Sequence, residues 1–331
     1  MKRGTILSGM RPTGPLHLGH LAGALENWAS LQDDYTCYFM VADWHAMTSE
    51  YENPKQIAEY TREMVIDFVA CGLDPKRSTI FVQSDVVEHL ELFMILACVT
   101  PLGWLERCPT YKEQMQNITN KDISNYAFLG YPALQAADIL IYKADTVPVG
   151  EDQVPHVELT REIARRFNNF YGPILPEPQA KLTRSSRLAG LDNRKMSKSY
   201  GNYIGLNESP DSLRKKVMTM YSDPERLRRS DPGRPDVCLV HRYYEAFAPS
   251  EAAEAAEKCR SGQWGCSDAK KRLIELLIEF LRPIQERRRA LEANPAAVER
   301  LLIESAAHAR EVAGRTMAEV REAIGLKTKR R

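Results

Sequence analysis

The first half of the chain alternates short runs of β-branched and aromatic residues with longer amphipathic stretches. TILSG precedes a helical pattern over residues 17–32, CYFMVA precedes one over 54–71, and TIFVQS precedes one over 87–99. Apolar runs of strand length followed by apolar positions three and four apart indicate βαβ units and a parallel, doubly wound sheet. Asn53 followed by Pro54 marks a helix start, because asparagine can cap free backbone donors and proline at the first helical position forfeits no hydrogen bond. Residues 112–144 read as mostly helical and end in YPALQAADILIY, after which TVPVG predicts a further strand and residues 154–170 its helix. The sheet is therefore expected to continue to about residue 150.

Between residues 171 and 201 proline, glycine, serine and basic residues crowd together without periodicity, which predicts a loop too long to serve as a mere connection. Beyond Leu206 strand signals vanish, and helical patterns follow at 211–220, 241–247, 251–260, 268–293 and 295–324. The expected fold is α/β: a Rossmann-like catalytic domain over residues 1–200 and an all-helical domain over 201–331.

Composition changes this picture little. The 331 residues are 44% hydrophobic and 27% charged, enough apolar material for two domains, and a net charge of +1 means that any footprint for nucleic acid is local. The opening MKRGTILSGMRPTG lacks the apolar core of a signal peptide and apolar runs such as residues 92–99 are too short to span a bilayer, so a cytoplasmic protein without a membrane partner is expected. Seven cysteines in so long a chain read as reduced thiols or metal ligands.

Candidate chemistry concentrates in two places. The segment SGMRPTGPLHLGH (residues 8–20) lies where the first strand hands over to the first helix, the position at which doubly wound sheets bind nucleotides. Its glycines, Gly9, Gly14 and Gly19, permit close backbone approach, the helix start offers N–H groups to phosphate, and His17 and His20 can donate to an oxygen whose charge grows during reaction. The second place is Lys195-Met196-Ser197-Lys198-Ser199 inside the long loop, where two ammonium groups flanked by Gly190 and Gly201 can close over a triphosphate. No Ser-His-Asp or Cys-His arrangement is apparent, so no nucleophilic side chain is expected.

A His-x-Gly-His turn after the first strand, with Lys-Met-Ser-Lys-Ser about 180 residues later, resembles the signature pair of class I aminoacyl-tRNA synthetases. SGMRPTG, VADWHA, YPALQAADILIYKAD, VPVGEDQ and ELTREIARRFN further resemble the bacterial-type tryptophanyl-tRNA synthetases over most of the chain. The tyrosine enzymes share the architecture and both signatures, but SGMRPTG and VPVGEDQ look like the tryptophan branch. A non-catalytic RNA-binding relative and a simpler nucleotidyltransferase are the other readings; the intact signatures weigh against the first and a helical domain after residue 200 against the second.

The resemblance implies that Asp138 receives the indole N–H of tryptophan. Physics agrees, since indole has a donor and no acceptor, and a carboxylate supplies the charge-assisted bond. Tyr131, Gln135 and Asp138 recur at spacings of four and three, on one helical face. By the same resemblance Gln153 and His45 hold the substrate's amino or carboxylate end or the ring edge, and Leu7 and Val149 are apolar walls. For ATP with Mg2+ it points to Arg11, Pro12, Thr13, Gly19, His20, Gly150, Glu151, Asp152, Leu188 and Lys195–Ser199, with Lys112, Lys195 and Lys198 on the phosphates and His17 and His20 as catalytic donors. Several bacterial members carry glutamine in place of Arg11 and Thr-Ile-Gly-Asn in place of His17 to His20, so phosphate contacts can differ. The implied reaction is attack of the tryptophan carboxylate on the α-phosphorus of ATP, then transfer to tRNA(Trp), by a homodimer. Arg226, Arg228, Arg229, Arg287, Arg288 and Arg289 are candidate phosphate contacts for the tRNA. Cys238, Cys259 and Cys266 resemble part of an iron–sulfur ([4Fe-4S]) site of some family members, whose fourth cysteine is Ala269 here; the alternative is three reduced thiols.

Overall fold

The strands expected before residue 150 all form, and each does so because a run of apolar side chains can be buried on both faces of a parallel sheet. In the computed structural model, which describes residues 2–117, 121–182, 188–226 and 228–326, they are β1 (Thr5–Met10), β2 (Thr36–Val41), β3 (Ser78–Val82) and β4 (Thr146–Val149), followed by β5 (Gln179–Leu182). Five of the six β2 residues are buried, as befits a strand paired on both sides. The order is β3-β2-β1-β4-β5, every pairing parallel. The chain winds outward from β1 through β2 and β3, then crosses back to β4 and β5. Strand order therefore reverses between β1 and β4, and their carboxyl ends border the crevice in which such sheets bind ligands.

β5 lies inside the segment expected to be a loop, and extends the sheet beyond residue 150. Its sequence is QAKL with two lysine-and-glutamine positions and Leu182 exposed, so an edge strand formed by backbone pairing to β4 left no apolar run to read. The helix expected over 17–32 is interrupted: Leu18–His20 leads into a π turn, Leu21–Leu25, before Glu26–Leu31. Helix Pro54–Ala70 starts where the Asn53-Pro54 pair places it, although the Asn53 side chain makes no capping bond.

By compactness the chain forms one unit from residues 1–14, 28–183 and 294–331, and a second from 15–27 and 184–293. The expected break near residue 200 thus differs from the observed division at both ends. Helix Pro295–Ala323, the last of the helical series, belongs with the sheet: Ala309, Ala313, Met317 and Val320 are buried in the same core as Tyr38, Phe81 and Leu96. Small residues one turn apart let its backbone come close, and Arg310 donating to the Asp85 carbonyl (2.5 Å) and the Lys143–Glu319 ion pair (2.6 Å) tie its exposed face. In the second unit helix Cys266–Glu292 supplies Leu273, Leu277 and Leu281 to a core with Tyr243, Tyr244 and Phe247. Buried Lys270 donates to the carbonyls of Met218 and Met220, so its ammonium satisfies acceptors left at the end of helix Pro210–Met218. Among the described residues no helix is long and apolar enough to cross a membrane.

Candidate active site

Asp138 sits on helix Tyr126–Ile141, whose first turn is capped by the Asn125 side chain accepting from the Phe128 N–H. Twelve residues of that helix are buried, so the carboxylate at position 138 is carried into the interior at 1% exposure. It is ionised there because donors converge from the segments that follow β2 and β3. His45 Nε2 approaches Oδ2 at 2.7 Å, Gln83 Nε2 donates to Oδ1 at 2.7 Å, and His89 Nδ1 meets Oδ1 at 2.6 Å. Burial by itself raises the carboxyl pKa, but the two imidazoles outweigh it and hold the group at about 2. A carboxylate offers about four acceptor directions, three of which are filled by these bonds, so among the described residues one on Oδ2 has no donor.

His45, expected at the substrate's amino or carboxylate end or at the ring edge, has its Nε2 on Asp138. The carboxylate's other partners are Gln83, fully buried in the turn after β3, and His89, neither of which the sequence singled out. Tyr131 lies one face along the helix with its hydroxyl 3.1 Å from Thr110 Oγ1 and 3.4 Å from His156 Nε2. The same network does contain a Cys–His contact: Cys108 Sγ is 3.6 Å from His156 Nδ1 and 3.3 Å from Thr110 Oγ1. Burial opposes the Cys108 thiolate, yet these bonds bring the thiol down to about 7. The network is buried at every member, 48 residues separate the pair along the chain, and no local pattern advertises it.

At the carboxyl ends of β1 and β4 stand the residues expected at ATP. Arg11 follows β1 and donates to Ser49 Oγ; burial lowers its pKa while Glu50 opposes that shift, and its Nε is buried without a partner among the described residues. Pro12 is buried and Thr13 exposed, its N–H bonded back to the Arg11 carbonyl at 2.9 Å. Gly150 follows β4, where a Cβ would lie 2.9 Å from Asp152 Oδ1, so a side chain there displaces the carboxylate. Glu151 and Asp152 form a short turn with Gln153, which donates to Asp152. Leu7 and Val149 are buried in the main core, and Lys112 is exposed on helix Pro109–Asn117.

The second unit unites the other two motifs. The His17 segment bridges Gly205, with Leu18 N–H on the Ile204 carbonyl (3.0 Å) and Leu206 N–H on that of Leu16 (3.1 Å). The rings of His17 and His20 lie 3.7 Å apart, and a Cβ on Gly19 would sit 3.0 Å from His17 Nδ1 and 3.1 Å from Met196 Sδ. Met196 is therefore packed against the glycine of the His-x-Gly-His turn. Buried Asn202 clasps the loop: its Oδ1 accepts from Ser197 N–H (2.8 Å), and its Nδ2 donates to Asp192 (2.7 Å) and the Lys195 carbonyl (3.1 Å). Gly190 is required beneath it, since a Cβ would stand 2.4 Å from Asn202 Nδ2. Leu188 is buried, Lys195 exposed and Lys198 half-buried; of Ser199 only the backbone, in the turn Lys198–Tyr200, is described.

Burial and then the Lys198 charge lower His17 to about 4; burial, His17 and Lys198 push His20 well below its usual value. Both rings are neutral at pH 7. His20 Nδ1 accepts from the His17 N–H at 3.2 Å, so its proton rides on Nε2, which can donate. Because the unfolded chain binds a proton near pH 6.5 that folded His17 refuses until about 4, stability falls as pH drops through that window. His17→Gln is expected to flatten the pH dependence of the thermal midpoint between 6.5 and 4, by about 1 kcal/mol per pH unit in stability. Identical slopes for variant and parent would contradict it.

Cys238, Cys259 and Cys266 stand at the ends of three helices as free thiols. Arg226 Nη1 donates to Cys259 Sγ (3.5 Å), and Ala269 leaves no fourth sulfur. Among the described residues no three His, Cys, Asp or Glu side chains converge on an ion position, so the donor set does not fit a four-iron cluster. Arg226 also donates to the carbonyls of Arg229 and Trp264, exposed Arg229 pairs with Asp268, buried Arg288 pairs with Glu292, and Arg289 donates to the Gln285 carbonyl. Arg228, Arg287 and Arg289 are exposed.

Residues 1–282 match the family of class I tRNA synthetases for W and Y. The chain is 52% identical to the Tryptophan–tRNA ligase of Thermotoga maritima over 97% of its own length and 99% of that protein's. It is 42% identical to the Tryptophan–tRNA ligase of Aquifex aeolicus, covering 97% and 99%. Among solved structures, the tryptophanyl-tRNA synthetase of Campylobacter jejuni, complexed with ADP and tryptophan, superposes with a TM-score of 0.89 at 32% identity over 97% of this chain and 99% of that one. A tyrosyl-tRNA synthetase from Archaeoglobus fulgidus, 23% identical with a TM-score of 0.68, shares the fold.

Proposed function

Since this chain belongs to the class I tRNA synthetases of the tryptophan and tyrosine branch, we propose that it activates L-tryptophan with magnesium-bound ATP to tryptophanyl-adenylate and loads it onto tRNA(Trp). The observation that carries the choice of amino acid is the buried, ionised Asp138 with one acceptor direction open. An indole N–H fills that direction. The phenol of tyrosine brings both a donor and a lone-pair oxygen, so its oxygen would face a carboxylate with no second donor to satisfy it.

In this reading Leu7 and Val149 wall the ring, and Tyr131 closes the helical face beside it. Arg11, Pro12, Thr13, Gly150, Glu151 and Asp152 at the switch point, and Gly19, His20, Leu188 and the Lys195–Ser199 strip of the second unit, serve ATP. The tryptophan carboxylate attacks the α-phosphorus and pyrophosphate leaves; the adenylate's acyl carbon is then attacked by a hydroxyl of the terminal tRNA ribose, releasing AMP. No side chain attacks. Position and charge supply the acceleration: neutral His20 offers Nε2–H, and Lys112, Lys195 and Lys198 offset charge on the phosphates. The helices of residues 201–293 meet the tRNA near its anticodon, with exposed Arg228, Arg287 and Arg289 toward its phosphates. A homodimer working in the cytoplasm completes the proposal, and the three thiols of the second unit are read as structural.

Purified chain is expected to support tryptophan-dependent exchange of labelled pyrophosphate into ATP without tRNA, since adenylate formation is reversible. Exchange driven by tyrosine, or none with either amino acid, would refute the assignment.

A further inference from the structure

The carboxylate of Asp138 is gripped by a residue that is itself bonded from behind. His89 is fully buried, with Nδ1 2.6 Å from Asp138 Oδ1 and Nε2 2.8 Å from the Tyr142 hydroxyl oxygen. The ionised Asp138 carboxylate can only accept, so the His89 hydrogen sits on Nδ1 and Nε2 accepts from the Tyr142 hydroxyl. Burial, and next the Asp138 charge, push the Tyr142 phenol well above its usual range. Tyr142 cannot easily turn away, because its ring stacks on Tyr38 (4.4 Å, 19°) and meets Phe81 edge-on (5.5 Å, 65°). Tyr38 in turn has the His308 ring of the terminal helix parallel to it at 6.2 Å.

We propose that His89 and Tyr142 are positioning residues for amino-acid selection: the relay Tyr142 O–H to His89 Nε2, His89 Nδ1–H to Asp138 Oδ1 holds the carboxylate ionised and turned so that Oδ2 keeps its open direction toward the indole N–H. This rests on the reading of Asp138 as the indole acceptor. Two of the three internal donors fall on Oδ1 and one on Oδ2, an asymmetry that decides which oxygen is left for the ligand. Removing the His89 donor frees the carboxylate to rotate or to take up a proton, and a carboxylic acid presents O–H to a ligand that has only N–H to give. Neither residue needs to touch tryptophan. Their effect is felt through the orientation and charge of Asp138, and so in the energy difference between a ligand with an N–H and one without.

The test compares pyrophosphate exchange driven by L-tryptophan with exchange driven by L-β-(3-benzothienyl)alanine, in which sulfur replaces the indole N–H. His89→Leu is expected to reduce the preference for tryptophan by about tenfold, through KM rather than kcat, as suits loss of one hydrogen bond to a charged group. His89→Asn, whose amide N–H stands where Nδ1–H does, restores the preference to within about threefold of the parent. Tyr142→Phe, which removes one oxygen and leaves the stacked ring, lowers it by about threefold and serves where His89→Leu does not fold. An unchanged preference in His89→Leu or Tyr142→Phe overturns the relay. So does His89→Asn behaving no better than His89→Leu, or both substrates losing equally, since packing alone would then explain the loss. Asp138→Asn separates the two levels. If it leaves the preference intact, the indole reading itself fails; if it collapses the preference while the His89 and Tyr142 variants keep it, the relay alone fails.

Discussion

Lys198→Ala lowers the rate of tryptophan-dependent pyrophosphate exchange by roughly 10²–10³-fold while the KM for tryptophan stays near that of the parent, and Lys195→Ala acts in the same direction. The expectation follows from how the loop is built. Asn202 ties Ser197 N–H, the Lys195 carbonyl and Asp192 into one clasp, so the backbone that carries both ammonium groups has a defined path rather than free reach. Met196 packs against Gly19, and the charge of Lys198 is felt by both His17 and His20, so it already stands at the His-x-Gly-His turn. A cation there opposes negative charge that builds on the phosphates as pyrophosphate departs, an interaction stronger in the transition state than in the ground state. Rapid-quench measurement of adenylate formation at saturating tryptophan reads this directly. An unchanged single-turnover rate in both variants would remove the loop from the reaction.

Asp138→Asn reduces kcat/KM for tryptophan by about 10²–10³-fold in the same exchange assay, with thermal stability falling as well. Asparagine keeps the shape but loses the charge and brings an NH2 group among His45, Gln83 and His89, which supply donors to this position. At least one donor is left facing another, in a place that is 1% exposed. Acid should produce a related effect only late: with the carboxyl held at about 2, its stabilising contribution is complete above its unfolded pKa near 4 and is lost as pH falls through 2. A full-strength Asp138→Asn enzyme that still rejects tyrosine would show that selection lies elsewhere in the pocket.

Much of this protein is readable from local pattern. Alternating apolar runs and amphipathic stretches are short-range signals, and they located β1 to β4, the helix starting at Pro54 and the five helices after residue 206, because burial on a sheet face or along a helical stripe repeats every two or three to four residues. The two segments proposed to serve phosphate were noticed for the same reason: glycine, histidine and lysine at fixed spacing within a few residues. Asp138 was legible by its resemblance and its helical spacing from Tyr131.

What tertiary structure alone decided is which distant groups meet. His45 reaches Asp138 from the segment after β2, Gln83 and His89 from the one after β3, and Cys108 finds His156 across 48 residues; a side chain's partner depends on strand order and helix packing, about which local periodicity is silent. Periodicity announced the helix Pro295–Ala323 but not that Ala309, Ala313 and Met317 pack it on the sheet core rather than on its helical neighbours, since an apolar stripe does not name what covers it. β5 escaped because an exposed edge strand is held by backbone bonds common to every sequence. Local pattern sets the elements and the chemical groups on offer; the fold chose which oxygen of Asp138 stays open, because only in the assembled core do the three donors that fill the other directions come within hydrogen-bond reach.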